Sequence, residues 1–350
     1  MKRIIALVII LALALSLCSC KTQPERIKYT AYYLDYFDTA TTIVGYEYLE
    51  EEFKNVCKEI TALLDEYHKL YTIYNKYEGI NNLYEVNRNA GTPVEVDEKI
   101  IDLLVYAKEM YYETNGAINV AMGSVLSIWH NYRTKGMSNP AEAKVPPLYK
   151  LSEAAQHTNI EDVVIDEENG TVLLADSSLR IDVGAIAKGY AVEAIAKRLE
   201  AKGVTGYILN VGGNVRTIGK KADGNFWQIG VENPDRSDES KPYIAYLELS
   251  GESLVTSGSY QRYYVVDGIS YHHIIDPKTL MPGDRYLSVS VLCRDSGRAD
   301  ALSTALFNMD YEVGSALVEG LDGVEAMWVL PDGEIKYSKS FEKYTFEYEE

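Results

Sequence analysis

Val163-Val164-Ile165-Asp166-Glu167-Glu168-Asn169-Gly170-Thr171-Val172-Leu173-Leu174 decides the fold class. Two β-branched apolar runs flank a short acidic segment that ends in Asn-Gly, the signature of an antiparallel hairpin. Downstream, Leu179 to Val183 reads as another strand, and a helix begins near Ile186 and ends at Gly203. Tyr207 to Val211 is an apolar strand that halts at Gly212-Gly213, and the chain stays strand-rich until a helix over Ala299 to Met309. Upstream, Tyr36 to Tyr46 is rich in β-branched and aromatic residues and reads as one strand. Phe53, Val56, Cys57, Ile60, Leu63, Leu64, Tyr67, Leu70, Tyr71 and Tyr74 then recur at three- and four-residue steps, a helix from about Glu50 to Tyr74. Asp97 caps a further helix lined by Ile100, Leu104, Ala107 and Tyr111, with Gly116 as its left-handed stop. Ser138 to Pro147, with Asn139-Pro140 and Pro146-Pro147, reads as a loop. Strands and helices alternate without a strict βαβα order. The expected class is therefore α+β, with largely antiparallel sheets flanked by helices.

With 47% apolar and 25% charged residues, the 350-residue chain can bury a sizeable core, which excludes a wholly disordered protein. Its net charge of −18 leaves no basic surplus to displace counterions from phosphates, so nucleic acid is excluded as the main partner. Two of the four cysteines, Cys18 and Cys20, lie in the first twenty residues. The remaining pair, Cys57 and Cys293, cannot frame a disulfide scaffold of this size.

Lys2 and Arg3 precede an apolar run from Ile4 to Leu17, too short as a helix to cross a bilayer. The pattern reads as an export signal over residues 1–19, and Leu17-Cys18-Ser19-Cys20 resembles a bacterial lipobox. Cleavage before Cys20 would leave that cysteine lipidated, residues 20–30 as a tether, and residues 31–350 as the domain. The protein is then expected at the extracytoplasmic face of the cell membrane. An unlipidated secreted protein or an uncleaved anchor is the alternative.

Three segments carry chemistry. Arg180 to Tyr190 runs from strand through a glycine-containing turn into a helix, whose unpaired first N–H groups favour an anion, with Lys188 adding charge. Neither a Walker loop nor a dinucleotide fingerprint is present. Asp300 and Thr304, four apart on a helix, share one face and offer hard oxygen donors suited to Mg²⁺; alone, the pair is equally a helix-start aspartate behind a Ser296 cap. His272 and His273 are adjacent on a strand, so they point to opposite faces and only one can line a given site.

Asp182-x-Gly-Ala-x-Ala-Lys-Gly, Asn210-x-Gly-Gly, Thr256-Ser-Gly-Ser, His273-Ile-Ile-Asp-Pro and Ala299-Asp-Ala-Leu-Ser-Thr, following a lipobox, resemble in combination and order the FAD:protein FMN transferase (ApbE-type) family. The resemblance spans about Tyr36 to Leu330. It implies an ApbE/T-fold-like body and an enzyme that uses FAD as substrate with a divalent cation, usually Mg²⁺. Such an enzyme attaches FMN through phosphate to a Ser or Thr hydroxyl of an exported or membrane-associated redox protein and releases AMP. It further implies metal ligation by Asp300, Thr304 and the Ala185 carbonyl. FAD contacts are implied at Phe37, Tyr74, Ala117, Ile118, Asn119, Asp182, Lys188 and Ile274, with His273 and Asp300 at the reacting phosphate. Asn119 stands where the family commonly has Asp, Gly123-Ser124-Val125 replaces Gly-Pro-Leu, and Leu280 replaces the Gly of Pro-x-Thr-Gly. The alternatives are FAD hydrolysis to FMN and AMP at the same site, and a flavin-binding lipoprotein without turnover.

Overall fold

In the computed structural model, which describes residues 25–237 and 239–347, β1 (Ile27–Tyr36) and β2 (Thr39–Glu47) form a hairpin followed by α1 (Glu50–Tyr71). The signal segment and Cys20 lie outside the described residues. Next come α2 (Leu83–Arg88), β3 (Val94–Glu95), α3 (Glu98–Glu113), α4 (Gly123–Ser138), α5 (Leu148–Ala154), β4 (Val163–Asp166), β5 (Thr171–Leu174) and α6 (Ala187–Ala201). The strand-rich stretch holds β6 (Tyr207–Val211), β7 (Asn214–Ile218), β8 (Trp227–Glu232), β9 (Tyr243–Leu249), β10 (Ser253–Gly258), β11 (Tyr263–Val266), β12 (Ile269–His272) and β13 (Ser288–Cys293). Then α7 (Ser296–Phe307), α8 (Tyr311–Glu319), β14 (Glu325–Val329) and β15 (Ile335–Tyr337) follow.

Eight strands make one antiparallel sheet in the order β1-β2-β6-β7-β10-β13-β14-β15. Strand alternation explains how it is covered on both faces. In β13, Val289, Val291 and Cys293 join the large core shared with α1, α6 and α7. Leu292 points the other way and meets Leu254 and Met327 in a second core beneath the β8–β9 hairpin. Burying each such aliphatic side chain contributes about 1.5–3 kcal/mol. A third cluster joins Val125 and Trp129 of α4 to Leu151, Tyr264 and Ile275. The α+β class and the antiparallel sheet hold as expected.

Local differences have physical causes. The single strand expected over Tyr36 to Tyr46 is broken at Phe37 and Asp38, whose φ values of 52° and 51° make them the turn between β1 and β2. Ile27 to Thr30, expected at the end of a tether, instead pair with Glu47 to Val44. α1 stops at Tyr71 because Thr72 is extended, which carries Tyr74 off the helix. Leu179, Ile181 and Val183 are buried, but the stretch forms no strand: its polar backbone is satisfied by the Asn87 side chain at Ile181 and by the Val120 carbonyl at Asp182. α7 starts at Ser296, and its cap is Asp295, which accepts from the Arg298 N–H at 3.0 Å, rather than Ser296. The Asp97 cap and the β4–β5 hairpin are as expected.

Candidate active site

Two helices cross where the first begins. Gly189, in the first turn of α6, lies so close to α7 that a Cβ there would sit 2.3 Å from the Ser296 carbonyl oxygen and 2.4 Å from the Asp300 Cβ. Only glycine permits that approach. It lets the Gly189 N–H donate to Asp300 Oδ2 at 2.8 Å, with Lys188 Nζ 3.5 Å from the same oxygen. The α6 start thus spends one of its free donors on a carboxylate of the same chain, and less of it faces a ligand than the sequence suggests. Asp300 is 4% exposed. Burial raises its pKa, against the pull of Lys188 and the Gly189 N–H.

One turn along α7, Thr304 Oγ1 lies 3.2 Å from Ser257 Oγ on β10, which also meets Ser303 Oγ at 2.8 Å. Asp300, Thr304, Ser257, Ala185 and Lys188 all line one cavity of about 470 Å³, within the usual size of a small-molecule site.

His272 is the last residue of β12 and His273 follows it in a bend, and the two side chains part. His272 turns inward, its Nε2 on the Gly283 carbonyl at 2.6 Å and its Nδ1 accepting from the Ile274 N–H at 3.2 Å. His273 faces the cavity, with Nδ1 buried and unpartnered. Burial, reinforced by Arg262, Arg133, His272 and Lys188, pushes its pKa down to about 3, so the imidazole is neutral. Ile274 lines the same wall.

Tyr74, Ala117, Ile118, Asn119 and Asp182 line the same cavity. Asp182 Oδ1 accepts from the Gly184 N–H at 2.9 Å and shapes the turn that presents Ala185. Burial raises the Asp182 pKa. Asn119 has both ends of its amide committed: it donates to the Thr158 carbonyl at 2.8 Å and accepts from the Ala121 N–H at 2.9 Å. A carboxylate could not make the first bond, so the local fold here calls for an amide. Leu280 adopts φ 62°, and its carbonyl accepts from Trp129 Nε1 at 2.9 Å.

Phe37 is the expected flavin contact that does not line the cavity. The left-handed turn directs its ring edge-on to His68, 5.9 Å between centroids, while its N–H donates to His68 Nδ1. Its near neighbour Thr39 reaches the cavity instead. Sequence reasoning missed Asn214, Asn308, His130 and Arg133, all cavity-lining; Asn214 alone had a signal, as the residue closing the Gly212-Gly213 turn.

The residues present fit a hydrated cation and an anionic ligand. Asn214, Asn308 and His273 all line this cavity, and Asn214 Oδ1, Asn308 Oδ1 and His273 Nδ1 are buried without partners. Orphaned polar atoms are costly unless something else satisfies them. Among the described residues no three His, Cys, Asp or Glu side chains cluster as a metal site. A divalent ion here would therefore take Asp300 and neutral oxygens, leaving positions for ligand phosphates, as Mg²⁺ prefers.

The family described as the ApbE family matches residues 37–328. An FAD:protein FMN transferase of Haemophilus influenzae is 29% identical over 88% of this chain and 87% of its own length. One from Treponema pallidum is 32% identical over 81% and 82%. Among solved structures, the ApbE protein of Thermotoga maritima superposes with a TM-score of 0.79 at 30% identity, covering 92% of this chain and all of its own. The flavin transferase ApbE of Vibrio cholerae gives 0.75 at 27%, covering 91% and 99%.

Proposed function

The chain belongs to the ApbE family, and on that premise we propose that it moves the FMN half of FAD onto a Ser or Thr hydroxyl of an acceptor protein, releasing AMP. The observation that carries this reading is the junction of Asp300 with the α6 start, in a cavity that His273 also faces.

In the proposed step, the acceptor's hydroxyl oxygen bonds to the phosphorus of the FMN half. The bond from that phosphorus to the bridging oxygen breaks, and AMP leaves with the bridging oxygen. A hydroxyl is a weak nucleophile, and a positioned base contributes about 10²–10⁴-fold. His273, neutral and lining the cavity, takes the hydroxyl proton. Lys188 offsets phosphate charge. Asp300, Thr304 and the Ala185 carbonyl would hold Mg²⁺, which supplies charge neutralisation for the phosphate oxygens when bound. Tyr74, Ala117, Ile118 and Asp182 orient the dinucleotide.

The acceptor is an exported or membrane-associated redox protein, and the enzyme stands at the extracytoplasmic face of the membrane, anchored by lipid at Cys20. Incubation with FAD, Mg²⁺ and an acceptor, quantifying AMP, free FMN and acceptor-bound FMN, tests the reaction. AMP and protein-bound FMN in equal amounts support transfer. AMP with only free FMN would mean hydrolysis.

A further inference from the structure

One face of α4 belongs to the cavity wall. Leu126, Trp129, His130 and Arg133, at helical spacings of three, one and three, all line it. The first two are apolar and anchor the helix; the last two are polar and point at the ligand space. Arg133 Nη2 donates to His130 Nδ1 at 3.3 Å, which requires a neutral imidazole. The Tyr74 ring lies tilted by 30° against His130, 5.0 Å between ring centroids, with its hydroxyl 3.4 Å from the same Nδ1. Burial and Arg133 itself both lower the His130 pKa, consistent with that neutral form.

The guanidinium has a neutral neighbour in contact and, among the described residues, no carboxylate at ion-pair distance; Asp182, on the same cavity, attracts it only from farther off. In a chain of net charge −18, carboxylates are abundant. A half-buried arginine that faces a cavity with no carboxylate in contact with it has hydrogen bonds left for an anion from outside. Arg262, donating to the Asp38 carbonyl at 3.1 Å, also lines the cavity without a carboxylate partner. His273 lies in the field of both arginines and of Lys188. The anion's place is thus beside His273.

We infer that Arg133, oriented by His130, binds a phosphate oxygen of the FAD pyrophosphate. This rests on the FAD reading above. Arg133 adds a directional, charge-assisted hydrogen bond to the charge that Lys188 brings to the same cavity, and its planar fork suits phosphate oxygens.

The test uses the full-length protein, with FAD binding followed by flavin fluorescence and inorganic pyrophosphate as competitor. Arg133→Met is expected to weaken both FAD and pyrophosphate by about 10-fold or more, the scale of one charge-assisted bond. Riboflavin and adenosine, which lack phosphate, should bind as to the native protein. Arg133→Lys should recover part of the loss. Arg133→Gln, which can still donate to His130, provides a second neutral variant if the methionine variant melts early. Unchanged FAD and pyrophosphate affinity in a folded neutral variant overturns the inference, as does equal weakening of the uncharged fragments. Arg133-dependent pyrophosphate binding in a native protein that modifies no acceptor would leave the inference standing and remove the transferase reading.

Discussion

Replacing Gly189 by alanine sets two effects of opposite sign against each other. Helix propensity alone favours alanine by about 1 kcal/mol. The added Cβ, however, would stand 2.3 Å from the Ser296 carbonyl oxygen, a backbone atom inside α7 that cannot swing aside. Overpacking of this kind costs about 1–3 kcal/mol. Parting the helices also stretches the Gly189 N–H to Asp300 bond, and a hydrogen bond to a charged group is worth about 1.5–3 kcal/mol. The net loss is about 1.5–5 kcal/mol, a large part of a typical folding free energy of about 5–15 kcal/mol. At about 2–4 °C per kcal/mol, the midpoint should fall by roughly 3–20 °C. The assay pairs thermal denaturation with Mg²⁺ titration of the purified variant. We expect a lower midpoint and a loss of about 10-fold in Mg²⁺ affinity, because Asp300 no longer faces the same direction. A Gly189→Ala protein that melts higher, with Mg²⁺ affinity intact, would refute the close-crossing argument.

Other consequences are separable. The folded pKa of His273, about 3, lies below its ordinary 6.5, so between those values the unfolded chain binds the extra proton. Its contribution to stability is complete above pH 6.5 and is lost as pH falls, by up to about 1.4 kcal/mol per pH unit, and His273→Asn should flatten that slope in urea titrations. Asn119→Asp replaces the donor to Thr158 with an acceptor and should cost about 1–3 kcal/mol by denaturant midpoint; an unchanged midpoint would mean the Asn119 amide is not structural. Leu280→Gly removes a left-handed non-glycine residue worth about 1–2 kcal/mol of strain, and loses partial packing of similar size. Its midpoint should move by less than about 1 kcal/mol, whereas a large loss would show that the leucine side chain, not the backbone, holds the loop.

What the sequence revealed follows from which forces act locally. The Asp97 cap, the β4–β5 turn and the stripe of α1 depend on neighbours within one or two turns, and each was legible. α4 was not, because Gly123 and Gly136 weaken its propensity and Ser127, Asn131 and Thr134 blur its periodicity. Tertiary contact forms it: a Cβ on Gly136 would meet the Tyr264 ring at 2.6 Å. Arg133 and His130 were hidden with it. Asp300 and Thr304 were visible as a spacing, but their union with Gly189 spans 111 residues and only folding reveals it. The orphaned oxygens of Asn214 and Asn308 were equally invisible, since burial of one side-chain atom leaves no mark on a sequence. Phe37 misled because a left-handed turn without glycine carries no sequence signal.

Asp300→Asn keeps an oxygen for the Gly189 N–H while removing the negative charge. The decisive measurement is the intact mass of an acceptor co-expressed with either form of the enzyme. The account predicts an FMN-phosphoryl adduct with the native chain and none with the folded asparagine variant. An acceptor fully modified by Asp300→Asn, or unmodified by the native chain in the presence of FAD and Mg²⁺, would contradict it.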